Sequence, residues 1–136
     1  MIEPTLTRKH IFMINELSNQ ILQNNKEKGF YDSDKNIGEM LCLIHSEVSE
    51  ALECDRKKRY CFLDKEQEQI LSGSPTNEDF KQYFQEFVKD SFEDELADIM
   101  IRVMDLAAYK GIDLEKHIAL KMRYNSMRPH KHGKLY

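Results

Sequence analysis

The length, composition and charge of the chain limit what it can be. With 136 residues, of which 40% are hydrophobic and 32% charged, it is long enough for one packed core and lacks the composition of a disordered protein. Its 20 Lys and Arg residues against 24 Asp and Glu residues give a net charge of −4, which favours neither nucleic acid nor an anionic membrane as a partner. We expect a single domain over residues 1–136.

Localisation and cysteine chemistry follow from the same inspection. The apolar stretches are too short to span a membrane, and the first residues do not resemble a signal peptide. These features predict a cytoplasmic protein. The three cysteines, Cys42, Cys54 and Cys61, are an odd number without Cys-x-x-Cys spacing, so we expect free thiols rather than a disulfide framework or a zinc site.

Apolar residues recur every three or four positions, which is the period of an α-helix, and only five Gly and three Pro interrupt them. The sequence therefore predicts an all-α protein. The first predicted helix runs from about Leu6 to Lys28 and ends at Gly29. Its predicted buried residues are Met13, Ile14, Leu17, Ile21 and Leu22.

Two further helices begin at capping pairs. Asn36, followed three residues later by Glu39, predicts the start of a second helix, and Ser91 with Asp94 predicts the start of a third, which ends before Gly111. Both carry apolar stripes that we expect to face each other. The stripes are Ile37, Leu41, Ile44, Val48 and Ala51 in the second helix and Phe92, Leu96, Ile99, Val103 and Leu106 in the third.

The segment between these two helices, about residues 59–90, is predicted to be a helical insertion. Gly73, Ser74 and Pro75 divide it into two pieces, and Phe80 and Phe84 give the second piece an apolar face. We therefore expect an added element that packs against the bundle, rather than a linker.

Asp113 is the predicted cap of a fourth helix, which Pro129 prevents from continuing beyond Arg128. The tail that follows, residues 129–136, is short and basic. It predicts a flap over a phosphate ligand better than an RNA contact, because the run is short and the protein as a whole is acidic. The apolar residues of the fourth helix are Leu114, Ile118 and Met122.

Two pairs of acids stand out, Glu47 with Glu50 and Glu95 with Asp98. Residues three apart project from one face of a helix, so each pair directs two carboxylates into the same volume. A single pair at this spacing is most often a solvated helix face. Two such pairs on the second and third helices favour a shared site.

The position of each pair relative to its stripe predicts how the pairs meet. Glu47 immediately precedes Val48 of one stripe, and Glu95 immediately precedes Leu96 of the other, so both pairs lie on the same flank. If the stripes face each other in an antiparallel pair, both flanks lie on one side of the interface. The sequence then predicts that the four carboxylates converge.

Four converging carboxylates require a counter-charge, because like charges held together raise one another's pKa. A hard cation such as Mg²⁺, or Mn²⁺ in its place, meets this need with oxygen ligands alone. A di-iron carboxylate bundle would need Glu-x-x-His, and none of the five histidines has an acid three residues before it. We therefore expect Mg²⁺ bound by oxygen ligands.

The fourth predicted helix carries a basic face. Lys121, Asn125 and Arg128 recur at i, i+4 and i+7, and His117 extends the same face. A Lys and an Arg flanking an amide can bind phosphate oxygens. Alone, the face is more simply a solvated basic flank of a helix end, but beside a cation site it predicts a phosphate clamp.

These acidic and basic residues lie in Ser46-Glu47-Val48-Ser49-Glu50, in Glu95-Leu96-Ala97-Asp98 and in Lys121-Met-Arg-Tyr-Asn-Ser-Met-Arg128. Over most of the chain, they resemble the Glu-Glu-x-x-Glu, Glu-x-x-Asp and Lys-x-x-x-Asn-x-x-Arg patterns of the MazG-like all-α nucleotide pyrophosphohydrolases. That family includes dimeric dUTPases and phosphoribosyl-ATP pyrophosphohydrolases. Ser46 stands where the family has a first Glu, and the stretch between Glu50 and Glu95 is longer than usual in the family.

The resemblance implies a MazG-type four-helix bundle with an extra insertion, which hydrolyses a (deoxy)nucleoside triphosphate to the monophosphate and pyrophosphate. It also implies a homodimer or homotetramer. The alternatives are a phosphoribosyl-ATP-type enzyme and a non-catalytic helical metal-binding or interaction protein. The implied Mg²⁺ ligands and catalytic residues are Glu47, Glu50, Glu95 and Asp98; the implied triphosphate-binding residues are Lys121, Asn125 and Arg128; the candidates for base recognition are Phe12, Phe80, Phe84 and Tyr124.

Overall fold

A computed structural model of the protein describes residues 13–135, and within that range its regular structure consists of helices without strands. The all-α prediction is therefore confirmed for these residues. The predicted helix start near Leu6, the candidate Phe12 and the last tail residue, Tyr136, lie outside the described range. The helices are α1 (Met13–Glu27), α2 (Ile37–Arg56), α3 (Lys65–Ser72), α4 (Asn77–Phe87), α5 (Phe92–Tyr109) and α6 (Leu114–Ser126), followed by a 3₁₀ turn at His130–Gly133.

None of the helices in residues 13–135 combines the length and the hydropathy that a membrane crossing would need.

The N-terminal caps that the sequence predicts are present. In each, a side-chain oxygen accepts a hydrogen bond from the backbone N–H three residues later, and this satisfies one of the free donors in the first helical turn. The bonds join Asn36 to Glu39 (3.0 Å), Ser91 to Asp94 (3.2 Å) and Asp113 to Lys116 (3.0 Å).

Two glycines follow helix C-termini in the left-handed conformation. Gly29 has φ +84° beyond α1, and Gly111 has φ +66° beyond α5. A residue with a Cβ atom would be strained at these angles. Both helices therefore end where the glycines predict, while α6 ends at Ser126, slightly before the predicted limit at Arg128.

The segment 59–90 forms the two predicted helical pieces, α3 and α4, with the break at residues 73–76. Its flanks are bonded to the start of α5. The carbonyl of Arg59 accepts a 2.8 Å hydrogen bond from the backbone N–H of Phe92, and the backbone N–H of Cys61 donates a 2.6 Å bond to Oε2 of Glu93. The insertion is thus fixed to the first turn of the helix that carries Glu95.

The described chain forms two compact units. The central unit is Asn36–Arg102, which contains α2, α3, α4 and the first part of α5. The terminal unit consists of the described parts of Met1–Lys35 and Val103–Tyr136. That residues 1–136 make a single domain stays a prediction.

Polar contacts tie α1 to the start of α6 within the terminal unit. The side chain of Asn15 donates a 2.7 Å hydrogen bond to Oδ1 of Asp113, and its backbone N–H donates a 2.9 Å bond to Oε1 of Glu115. Beyond α1, the hydroxyl of Tyr31 donates a 2.6 Å bond to Oδ2 of Asp105 on α5. Burial and this bond to a carboxylate raise the pKa of Tyr31.

In the central unit, α2 and α5 run antiparallel. Glu47, near the middle of α2, bonds Arg102, whereas Cys54 near its end donates to the carbonyl of Asp90, just before α5 begins. Moving forward along α2 therefore means moving backward along α5. The two acid pairs on α2 and α5 were expected to converge only if the helices had this antiparallel orientation.

The structure corrects the predicted orientation of the apolar stripes. Glu47 and Glu95 are only 7% and 6% exposed, whereas their neighbours Val48 and Leu96 are 47% and 45% exposed. The acids therefore lie on the inner faces rather than on the flanks. Since a helix turns about 100° per residue, the inner face of each helix is centred one position before the predicted stripe residue. Ala51 and Cys54 are also buried on α2, and Ser91 is buried just before α5 begins. The other exposed residues that the pattern placed inside are Met13, Leu17 and Leu41.

Candidate functional site

Three of the predicted site residues meet in the central unit. Glu47 and Glu50 from α2 and Glu95 from α5 each offer a carboxylate oxygen, and these oxygens all lie within 4.8 Å of one another. Glu47 and Glu95 are buried, whereas Glu50 is exposed. The group therefore has a buried floor and an accessible side. We call these three residues the acidic cluster.

Arg102 provides the counter-charge to the acidic cluster. Its Nε donates a 2.7 Å hydrogen bond to Oε1 of Glu47, and its side chain is itself partly exposed. Sequence reasoning missed this residue. The signal was present, because Arg102 lies seven residues after Glu95 and four after Asp98 and so shares their helix face.

The three carboxylates of the acidic cluster have different proton affinities. Although burial acts to raise it, the pKa of Glu47 is lowered overall, chiefly by the hydrogen bond from Arg102. Its hydrogen bond and charge in turn raise the pKa of Glu50. Burial, together with the charge of Glu50, raises the pKa of Glu95 to about 7. Glu95 is thus the member least able to carry its charge without a cation.

One oxygen of Glu95 is left without a partner. Its Oε2 atom is buried and makes no hydrogen bond within the described residues. A buried polar atom in that state is costly, and a bound ligand would remove the cost. Oxygen donors of this kind suit Mg²⁺ or Mn²⁺ better than zinc or copper, which prefer nitrogen and sulfur ligands. The residues present therefore fit a hard divalent cation.

The fourth predicted ligand, Asp98, stands further from the group. It is half-buried, and among the described residues its carboxylate is not one of those that lie within 4.8 Å of one another in the acidic cluster. Its pKa is raised by burial and then by the charges of Asp94 and Glu47. The charge of Glu47 thus acts on Asp98, although the Asp98 carboxylate is not among the closely grouped oxygens of the acidic cluster.

A second acidic group has a structural explanation. Oxygens of Asp90, Asp94 and Glu95 also lie within 4.8 Å of one another. Oδ2 of Asp94, however, accepts a 2.9 Å hydrogen bond from the backbone N–H of Asp90, and Asp90 pairs with Lys89 at 3.3 Å. Acids at a helix N-terminus are stabilised by the free N–H groups and the dipole there. We therefore assign Asp90 and Asp94 to the start of α5.

The predicted basic face lies in the terminal unit, with Lys121 and Asn125 on α6 and Arg128 just beyond its end. The ammonium of Lys121 and the guanidinium of Arg128 lie 5.1 Å and 5.8 Å from the ring centroid of Tyr124. Oδ1 of Asn125 is buried and makes no hydrogen bond within residues 13–135. The two cations are thus gathered around one ring, while their role toward phosphate stays a prediction.

Comparisons with protein-family models, with curated proteins and with solved structures find no match to this chain.

Proposed function

We propose that the protein is a Mg²⁺-dependent nucleotide pyrophosphohydrolase of the MazG-like type. It would hydrolyse a (deoxy)nucleoside triphosphate to the monophosphate and pyrophosphate. The observation that carries this proposal is the meeting of Glu47, Glu50 and Glu95, with a buried oxygen of Glu95 left unpartnered. Such a group is unfavourable alone and becomes favourable once a divalent cation offsets its charge.

The cation supplies the chemistry that a phosphoanhydride needs. Held by Glu47, Glu50 and Glu95, with Asp98 nearby, Mg²⁺ or Mn²⁺ would polarise phosphoryl oxygens and lower the pKa of water. Arg102 fixes the orientation of Glu47 through Oε1, and partners that orient a ligand in this way commonly determine metal affinity.

The exposed member of the cluster suits proton transfer. Glu50 faces the accessible side, and its pKa is raised by Glu47. We assign to it the proton released when a water oxygen bonds to the α-phosphorus. The bond from that phosphorus to the bridging oxygen of the β-phosphate then breaks, and pyrophosphate leaves with the electron pair.

The leaving pyrophosphate needs positive charge, and Lys121, Asn125 and Arg128 are the proposed residues. An Arg can bind phosphate oxygens through a fork of hydrogen bonds, and a Lys adds a point charge. Both cations lie around the Tyr124 ring at the surface of α6. These residues would position the β- and γ-phosphates.

An exposed apolar face supports the proposal of a homodimer or homotetramer. Leu41, Val48 and Leu52 on α2 are all exposed, and their spacing of seven and four places them along one face of the helix. Leu96 and Met100 add exposed apolar residues on α5. Exposed apolar side chains grouped along one helix face are typical of an interaction surface, and a second copy of the chain is the occupant that we propose.

Product analysis tests the proposed reaction. Purified protein with Mg²⁺ should convert at least one deoxynucleoside triphosphate to monophosphate and pyrophosphate, not to diphosphate and phosphate. Glu95→Gln should abolish turnover, whereas Glu78→Gln, an exposed acid in the insertion, should not. Cation binding without turnover on any triphosphate or on phosphoribosyl-ATP would instead favour a non-catalytic metal-binding protein.

A further inference from the structure

We propose that the insertion supplies the base-binding pocket of this enzyme within a single chain, and that the pocket selects bases that carry an exocyclic amino group. This inference rests on the proposed function and names the part of the substrate that the insertion recognises.

The pocket is a cavity of about 500 Å³ in the central unit, bounded by the insertion and the start of α5. Phe62, Phe84 and Val88 supply apolar walls. This volume lies in the range of small-molecule sites, roughly 300–1,000 Å³. Phe62 is 83% exposed, so a large aromatic side chain stands at the mouth without being needed for the core. Aromatic walls of this kind bind flat heterocycles by stacking.

The polar groups of the pocket are hydrogen-bond acceptors. Glu68, Glu93 and Asp94 line it, and its described lining includes no Lys or Arg. An anionic phosphate is therefore excluded from the cavity, whereas an N–H donor is favoured. Cytosine, adenine and guanine carry an exocyclic amino group. Uracil has a carbonyl oxygen in place of the cytosine amino group, and hypoxanthine lacks the 2-amino group of guanine.

Two of these carboxylates are already held in place. Oε2 of Glu93 accepts a 2.6 Å hydrogen bond from the backbone N–H of Cys61. Oδ2 of Asp94 accepts a 2.9 Å hydrogen bond from the backbone N–H of Asp90. The second oxygen of each makes no hydrogen bond within the described residues. Both carboxylates are thus oriented by the backbone and keep one acceptor for a ligand.

The pocket adjoins the acidic cluster through neighbouring residues of α5. Asp94 lines the cavity, and one of its oxygens lies within 4.8 Å of an oxygen of Glu95, which belongs to the acidic cluster. Consecutive residues on a helix differ by about 100° in direction. Asp94 therefore faces the pocket from one side of α5, and Glu95 faces the acidic cluster from the adjacent side. A base in the cavity would therefore direct its phosphates toward the carboxylates.

Paired substrates test the amino-group selection. dGTP and dITP differ only in the 2-amino group, and dCTP and dUTP differ in an amino group against a carbonyl and in the proton on N3. The amino-bearing member of each pair should have a kcat/KM higher by about 5-fold or more, the equivalent of one good hydrogen bond. Glu93→Gln, which places an amide donor in the pocket, should reduce or reverse that ratio. Equal ratios before and after the substitution would overturn the amino-group selection.

Filling the cavity tests the pocket itself. Ala97 lines it and is exposed, so Ala97→Leu should obstruct the pocket without disturbing folding; Ala119→Leu on α6 is the matched control. Ala97→Leu should lower kcat/KM for dCTP by about 5-fold or more, as expected for lost stacking, and leave deoxyribose 5′-triphosphate, which lacks a base, unchanged. An equal effect on both substrates would overturn the proposal.

A binding measurement separates this inference from the proposed reaction. Calorimetry with Mg²⁺ and dCMP needs no turnover, and Ala97→Leu and Phe62→Ala should both weaken binding by about 5-fold or more. Phe30→Ala, at an exposed Phe of the terminal unit, is the control. If no triphosphate is hydrolysed but both pocket variants bind dCMP more weakly, the pocket is supported and the proposed reaction is refuted. If dCMP binds equally to all four proteins, the pocket is wrong whatever the turnover.

Discussion

The Nε atom of Arg102 lies 2.7 Å from Oε1 of Glu47, a residue 55 positions away in the sequence. This pair joins α5 to α2 at the acidic cluster and supplies a fixed positive charge there. It therefore helps to keep the pKa of Glu47 low and that carboxylate charged.

Replacing Arg102 should destabilise the protein, because Glu47 is buried and would lose its counter-charge. Arg102→Gln is expected to lower the free energy of unfolding by about 1–3 kcal/mol, less than for a fully buried pair because the Arg side chain is partly exposed. Urea denaturation measures the change. Lys57→Gln, which breaks the exposed 3.1 Å pair with Glu53, should have no measurable effect. Equal effects of the two substitutions would contradict the role of Arg102.

The metal-free protein should lose stability as the pH rises. Glu95 has a pKa of about 7 when folded, against an ordinary value of 4.5. Between these values the folded state binds more protons than the unfolded state, so the free energy of unfolding falls with rising pH, by about 3 kcal/mol in total. The raised pKa of Glu50 and of Asp98 act in the same direction.

Urea denaturation from about pH 5 to about pH 8, with chelator or with saturating Mg²⁺, measures this dependence. Mg²⁺ should remove or reverse the slope, since a bound cation favours the charged carboxylates. Glu95→Gln should remove most of the slope even in chelator. A slope unchanged in Glu95→Gln would show that the pH dependence arises elsewhere.

The four predicted ligands should differ in their importance for cation binding. Glu47, Glu50 and Glu95 offer oxygens within 4.8 Å of one another, and Asp98 is not in that set. Mn²⁺ affinity, measured by electron paramagnetic resonance, should fall by more than about 10-fold in Glu47→Gln, Glu50→Gln and Glu95→Gln, and by less in Asp98→Asn. Unchanged affinity in all four would remove the proposed metal site.

The basic face should act on the nucleotide and not on the cation. Arg128→Gln and Lys121→Gln should raise KM for the triphosphate by about 10-fold, the loss of one charge-assisted hydrogen bond, while Mn²⁺ affinity stays the same. Arg123→Gln, an exposed Arg of the same helix outside this face, is the control. Weakened Mn²⁺ binding in the Arg128 variant, with KM unchanged, would exclude the proposed phosphate clamp.

The exposed apolar face should control the oligomeric state. Val48 is exposed in the single chain, so Val48→Glu should spare the fold of the chain but place charges in the proposed interface. Sedimentation equilibrium should show a dimer or tetramer for the original protein and a monomer for the variant, with equal circular dichroism. Ile112→Glu, at an exposed apolar residue of the terminal unit, should leave the assembly intact. A monomeric original protein would overturn the interface.

Local sequence patterns predicted the helix boundaries well because the interactions responsible are local. The bond from Asn36 to Glu39 and the left-handed turn at Gly29 each involve residues a few positions apart. Such features depend on short-range backbone geometry, which the order of residues specifies directly.

The orientation of the helices could not be predicted in the same way. The pattern assigned Val48 and Leu96 to the inner faces, but burial depends on which surface covers them, and Glu47 and Glu95 lie inside instead. The partnership of Arg102 with Glu47 likewise depends on the register between two helices that are distant in the chain. The convergence of the acids followed from antiparallel packing, whereas the metal and substrate roles of these acids stay predictions.

Small buried residues on α2 and at the start of α5 would have a consequence for ion selectivity at the proposed metal site. Ala51 and Cys54 are buried on α2, and Ser91 is buried just before α5 begins. Side-chain volume at a contact between helices sets how closely their axes approach. Carboxylates that project from both helices can close around an ion of small ionic radius only if the axes stay close. Mg²⁺ needs oxygen distances of about 2.0–2.1 Å and Ca²⁺ about 2.3–2.6 Å. If the acidic cluster binds a divalent cation as we propose, the choice between these ions would depend in part on methyl-, thiol- and hydroxyl-sized groups that touch neither of them.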